Sequence, residues 1–142
     1  MKIKDIMSKE VVSLNPNDTI EKAAGMMKDH NVGSLPVCRQ NEVVGIVTDR
    51  DITLRAVAEG ENSRQQMVSG IMTPNPVLGN PDMNVEDAVS IMSQRQVRRL
   101  PIVENDSLVG MVSLGDISSE PILQGNAEEA LSNISQPSGT PM

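Results

Sequence analysis

The feature that most constrains this chain is that much of it is written twice. Residues 5–52 align without a gap with residues 70–117, at a constant offset of 65, and a third of the paired positions are identical. Asp5-Ile6-Met7-Ser8 meets Gly70-Ile71-Met72-Thr73, and Asn15-Pro16 meets Asn80-Pro81. Val32-Gly33-Ser34-Leu35-Pro36-Val37 meets Val97-Arg98-Arg99-Leu100-Pro101-Ile102. Val44 to Ile52 meets Val109 to Ile117. Self-similarity of this kind signals two copies of one supersecondary unit, each unable to bury its apolar face alone.

Both copies read as the same run of elements. Val11 to Leu14 is a short β-branched run closed by the turn former Pro16, which predicts a strand. A helix follows, capped by Asp18 or Thr19, with Glu21 in its first turn. Its apolar residues Ile20, Ala23, Ala24 and Met27 share one helical face, as do Val85, Ala88, Val89 and Met92 in the second copy. Two short apolar runs, Ser34 to Cys38 and Val43 to Thr48, flank the polar turn Arg39 to Glu42 and predict a hairpin. A helix from about Asp49 to Glu59 then ends at Gly60, a suitable C-cap. The unit is therefore β-α-β-β-α. The boundaries expected are 1–60 for the first copy, 61–69 for a polar linker, 70–120 for the second copy and 121–142 for an extension. Pro121 should stop the last helix of the second copy early. The extension should hold a short helix near Asn126–Asn133, then a disordered tail from Gln136 to Pro141. A three-stranded sheet in each copy needs covering, and two copies stacked about a pseudo-twofold axis would cover both.

Composition narrows the function. The 142 residues suffice for one domain with a core or for two small repeats sharing one. No apolar run approaches the roughly 18 residues of a membrane span, and the charged start Met1 to Asp5 does not fit a signal peptide. Cys38 is the only cysteine, so no intrachain disulfide forms, and a cytoplasmic location is expected. A net charge of −7 disfavours nucleic-acid binding, which depends on neutralising phosphates. The chain has no Phe, Tyr or Trp, so no base-stacking platform can be built, and core volume must come from aliphatic residues and ten methionines.

The sharpest local pattern is Gly45-Ile46-Val47-Thr48-Asp49-Arg50-Asp51, repeated as Gly110-Met111-Val112-Ser113-Leu114-Gly115-Asp116. A hydroxyl where a strand turns into a helix can donate to a phosphate, and an Asp three residues on can accept from ribose hydroxyls. Thr48, Asp51, Ser113 and Asp116 are thus candidate nucleotide ligands. The same spacing also makes a capping box, in which each Thr or Ser caps the helix and each Asp completes the box. Both readings stay open. Arg98 and Arg99, just before Leu100-Pro101, are candidate phosphate contacts or solvated strand-end charges. The first copy has Gly33-Ser34 there, so the two sites should differ in charge. Arg50 and Arg55 are further candidates for phosphate contact, but read first as exposed helix charges. Cys38 and His30 have no second Cys or His beside them, so no closed zinc site fits within one chain. Cys38 in an apolar strand reads as core. No catalytic triad order or Walker loop is present, and neither a catalytic nor a metal site is expected.

These residues resemble the tandem CBS-domain pair, named after cystathionine beta-synthase, over about residues 1–120. The resemblance rests on Ile-Met-Ser near the start of the copies, on Leu35-Pro36-Val37 and Leu100-Pro101-Ile102, and on Gly-x-x-Thr/Ser-x-x-Asp in both. It implies an α/β (α+β) fold of two β-α-β-β-α repeats with ligand sites in the clefts between them, and often a homodimer. Ligands implied are AMP, ADP, ATP or S-adenosylmethionine, and in some members NADH or metal ions. The resemblance carries ribose contact to Asp51 and Asp116, ribose or phosphate contact to Thr48 and Ser113, and phosphate contact to Arg98 and Arg99. With no aromatic ring available, Ile6, Met7, Leu35, Ile71, Met72 and Leu100 are candidates to hold the base, or ordinary core. The function implied is a non-catalytic, adenine-nucleotide-responsive regulator acting in trans on an unidentified protein partner. The alternative is a dimerisation module that binds no ligand.

Overall fold

A computed structural model describes residues 1–136. The chain divides into two compact units that interleave in sequence. One, here the N-unit, is Val12–Pro76 with Asp106–Leu108; the other, the C-unit, is Met1–Val11 and Val77–Asn105 with the chain from Val109 on.

In the N-unit, helix α1 spans Ile20–His30. Thr19 caps it, its hydroxyl accepting from Lys22 N–H at 3.1 Å, and Asn31 closes it in the left-handed region with φ 52°. Strands β1 (Ser34–Arg39) and β2 (Glu42–Thr48) form the expected hairpin, antiparallel, with Ser34 opposite Thr48 and Leu35 opposite Val47. The turn carries Gln40 and Asn41 at positive φ, which Asn accommodates better than most residues. A short strand β3 (Thr73–Pro74) adds to the free edge of β2, giving the order β1-β2-β3. The buried core is aliphatic: Leu14, Ile20, Leu35, Val37, Val47, Val68 and Ile71 among others.

Three expectations for this region need correction. Val11–Leu14 makes no strand; only Leu14 pairs, in an isolated parallel bridge to Val37. Pro16 follows too soon for a ladder to extend. On α1, Ala24 is exposed while Met26 is half-buried, so the apolar face is turned slightly from the one the sequence suggests. The helix after β2 begins as α2 (Asp49–Asp51) but continues as π-helix over Ile52–Val57, with Ala58 N–H donating to the Thr53 carbonyl five residues back. The Thr53 hydroxyl donates to the Asp49 carbonyl at 3.1 Å, a local side-chain bond that competes with regular helix pairing. Gly60 ends the segment at φ 73°.

The C-unit repeats the plan with α3 (Val85–Arg95), β4 (Arg99–Glu104), β5 (Ser107–Ser113) and α4 (Leu114–Ser118). Val85, Ala88, Val89 and Met92 all face its core. A last helix, α5 (Gln124–Ser135), follows a 3₁₀ turn at Pro121–Leu123 and packs on α3 and α4 through Ala127 and Ala130. It is longer than the helix expected at Asn126–Asn133. The tail expected beyond it, at residues 137–141, lies outside the described residues.

The leading segment of each copy packs in the unit built mainly from the other copy. Ile3 is fully buried in the C-unit core, and Val68, placed in the linker by the mostly polar stretch that holds it, is fully buried in the N-unit core. The contacts that fix these segments recur at the repeat offset. Lys2 bridges Asn84 as Met67 bridges Thr19, and Ser8 bridges Met111 as Thr73 pairs with Ile46.

Candidate functional site

The exchange of leading segments decides which candidate residues meet. In the C-unit it brings Ile6 and Met7 to the strand that carries Ser113. Ser8 and Met111 exchange two backbone hydrogen bonds of 2.9 Å each. An idealised Cβ on Gly110 would lie 2.7 Å from Met7 Sδ and 2.9 Å from the Ser8 carbonyl oxygen. The motif glycine is therefore glycine because a crossing segment lies against it. Gly45 stands in the same relation to Met72 and to the Thr73 carbonyl in the N-unit. Ile6, Met7 and Met72 are half-buried, whereas Ile71, Leu35 and Leu100 are buried among core residues. The first three keep part of their surface exposed; the last three are packed in the cores.

The motif itself folds as two capping boxes. Thr48 N–H donates to Asp51 Oδ2 at 2.9 Å, and Asp51 N–H donates back to the Thr48 hydroxyl at 3.1 Å. Ser113 and Asp116 repeat this at 2.8 and 3.1 Å. Each box satisfies backbone donors that a helix start otherwise leaves open. The boxes use one carboxylate oxygen of each Asp. The second oxygens differ. Asp51 Oδ1 lies 3.8 Å from Arg55 Nε, whereas Asp116 Oδ1 has no partner among the described residues. All four side chains are half-buried, so the free lone pairs remain reachable.

The flanks of the two motifs carry different charge. In the C-unit, Leu114 N–H donates to the Arg98 carbonyl at 2.9 Å, which holds Arg98 beside the start of α4. Arg98 is exposed and Arg99 half-buried, and neither guanidinium has a partner among the described residues. Arg98 also lines a groove of about 490 Å³ with Leu114, Gly115, Gln124, Ala127 and Leu131. In the N-unit the matching bond runs from Asp49 N–H to the Gly33 carbonyl at 2.9 Å. Arg50 is exposed at the helix start. Arg55 is exposed, as its place on the helix suggests, and also donates to the Ile71 carbonyl at 3.2 Å while facing Asp51. The α5 wall of the groove was not legible either, because α5 has no counterpart in the first copy.

Cys38 is buried in β1, and burial pushes its thiol pKa up, opposed in part by a hydrogen bond with Ser13. His30 lies exposed at the end of α1. No described helix is long and apolar enough to cross a membrane.

Both copies match one family model, the CBS domain, over residues 3–57 and 68–122. The chain belongs to the CBS-domain family. It is 47% identical over 133 residues to the CBS-domain-containing protein YhcV of Bacillus subtilis, covering 94% of each chain. Among solved structures, the CBS pair of protein MJ0100, in complex with 5′-methylthioadenosine and S-adenosyl-L-methionine, superposes with a TM-score of 0.76 at 30% identity, covering 88% of this chain and 97% of that one. Hypoxic Response Protein I, with two coordinated zinc ions, superposes with a TM-score of 0.79 at 27% identity, covering 84% and 98%. Residues 123–136, with the whole of α5, lie beyond the matched repeats.

Proposed function

We propose that this CBS pair is a non-catalytic regulatory module that binds an adenine nucleotide or adenosyl ligand and acts in trans, as a homodimer, on a protein partner. The observation that carries the reading is the C-unit site. Asp116 keeps one carboxylate oxygen free of its capping box, the half-buried Ile6-Met7 segment crosses the strand that leads to that box, and two unpaired arginines stand at the neighbouring strand start. A carboxylate oxygen suits vicinal ribose hydroxyls, thioether and aliphatic surface suit a purine face, and arginine suits phosphate. The adenosyl ligands in the MJ0100 complex support the ligand class. The match to YhcV over 94% of that protein's length supports action on a separate partner, since little else remains in the relative to be regulated.

A second reading, an interaction module without ligand, draws on the capping boxes, which give Thr48, Asp51, Ser113 and Asp116 a structural role sufficient in itself.

The ultraviolet spectrum of the freshly purified protein discriminates between them. With no Phe, Tyr or Trp the chain is nearly transparent across the adenine band. An adenine band that survives desalting and nuclease, identified by mass spectrometry, supports the first reading. A flat spectrum, together with no thermal shift from AMP, ATP or S-adenosylmethionine, overturns it.

A further inference from the structure

We infer that the two sites take different classes of adenosyl ligand: a phosphorylated nucleotide in the C-unit, and in the N-unit an adenosyl compound whose 5′ substituent is neutral or cationic. The inference rests on the ligand-binding reading above and adds what each site selects.

The determinant is Asp49. At the place where the C-unit has Arg98, the N-unit has Gly33, and the Asp49 carboxylate fills the space that glycine leaves. An idealised Cβ on Gly33 would lie 3.1 Å from Asp49 Oδ2. The C-unit counterpart of Asp49 is Leu114, which carries no charge. The two substitutions act in the same direction: the N-unit loses the arginine and gains a carboxylate at one spot. Asp49 is held there by its own backbone, whose N–H donates to the Gly33 carbonyl, and by Arg50 N–H, which donates to its Oδ1 at 2.8 Å. A phosphate at that position would face like charge, which disfavours it.

Ser34 supplies an independent observation. It stands where the C-unit has Arg99, and its hydroxyl is buried without a hydrogen-bond partner among the described residues. A buried hydroxyl left unpaired is costly, so this one calls for a partner. Beside Asp49 the complementary partner is an uncharged or positively polarised group. The cations the N-unit brings to its motif are on the helix: Arg50, exposed at its start, and Arg55, which faces Asp51 at 3.8 Å and donates to the Ile71 carbonyl; neither stands at the strand start that Arg98 and Arg99 occupy in the C-unit. At the same offsets the C-unit has Gly115 and Glu120, so helix arginines and strand arginines are alternatives, one set to each unit.

Titration calorimetry of the full chain with AMP and with adenosine, which differ only in the phosphate, tests this. We expect one AMP per chain, weakened at least tenfold by the Arg98→Ala/Arg99→Ala pair, with adenosine binding to the N-unit unaffected by that pair. Asp49→Asn, an exposed change that retains an acceptor for Arg50 N–H, should open a second AMP site. Two equivalent AMP sites in the wild-type chain would overturn the inference while leaving the ligand-binding reading intact. So would an Asp49→Asn chain that still takes a single AMP. Failure of both AMP and adenosine to bind would overturn this inference, and the ligand-binding reading falls with it where ATP and S-adenosylmethionine fail to bind as well.

Discussion

Asp116 is assigned two tasks, holding the start of α4 and receiving a ribose, and two substitutions separate them. Asp116→Ala removes both. The acceptor for Ser113 N–H disappears from a half-buried position, where a hydrogen bond to a charged group is worth about 1.5–3 kcal/mol. Loss of a cap interaction alone costs about 1 kcal/mol. Water reaches the site in part and lowers the first figure, so a net loss of about 1–2 kcal/mol is expected. At roughly 2–4 °C per kcal/mol for a chain of this size, the melting temperature should fall by about 2–8 °C. Asp116→Asn keeps a carbonyl oxygen for Ser113 N–H and should cost under about 1 kcal/mol. Its second group is an amide NH₂, which donates and cannot accept from ribose hydroxyls.

Thermal melts with and without ligand then read the two tasks apart. Saturating ligand at a hundredfold excess over Kd stabilises by about 2.7 kcal/mol, or about 5–10 °C on the same scale. For Asp116→Asn we expect a near-wild-type melt without AMP and loss of the AMP shift. If that variant responds to AMP like the wild type, Asp116 does not receive the ribose. If Asp116→Ala melts like the wild type, the box at Ser113 and Asp116 does not stabilise the fold.

Further predictions bear on the interleaving and the core. Gly110→Ala would drive a methyl group against Met7 Sδ and the Ser8 carbonyl, so chemical denaturation should show a loss of about 1–3 kcal/mol from overpacking, recovered in part by Met7→Ala. Ile3→Ala, at a fully buried position, should cost about 2–5 kcal/mol in the same assay, although Ile3 lies at the far end of the sequence from the core it fills. The raised thiol pKa of Cys38 means that the folded state holds its proton more tightly than the unfolded chain. The resulting stability is complete below the ordinary thiol pKa, about 8.5, and is lost as pH rises through the folded value. Cys38→Val should therefore fall away less than the wild type in denaturation series above that pH.

How much of this was legible depends on which interactions are local. The hairpin of β1 and β2 was, because two short apolar runs flank a polar turn within fifteen residues. So was α3, whose four apolar residues lie on one face. The capping boxes were legible as a spacing, three residues from hydroxyl to carboxylate. That spacing serves both cap and ligand, and the free oxygen of Asp116 emerges only in three dimensions. The partners of Met7 and Met72 were not legible at all. The repeat pairs Met7 with Met72 in sequence, whereas packing pairs Met7 with Gly110 and Met72 with Gly45. Val68 was hidden because the stretch Glu61 to Ser69 that holds it is mostly polar and reads as a linker. The π-helical segment at Ile52–Val57 follows α-helix-compatible residues, with the Thr53 hydroxyl the one local sign of a departure.

Duplication and exchange together explain how one motif can serve two chemistries. Each motif residue that shapes the backbone is kept in both copies: the glycine under the crossing methionine, the hydroxyl and the Asp of the box. These are the residues whose loss would damage the fold of a unit. Charge changes at Gly33 against Arg98, Ser34 against Arg99, Asp49 against Leu114, Arg50 against Gly115 and Arg55 against Glu120, whose side chains the capping box does not need. Charge can change there at little cost to stability, since exposed or half-exposed substitutions outside such features are usually nearly neutral. The two units can thus share a backbone while diverging in what their sites attract, and the divergence falls on the flanks where a 5′ substituent would lie.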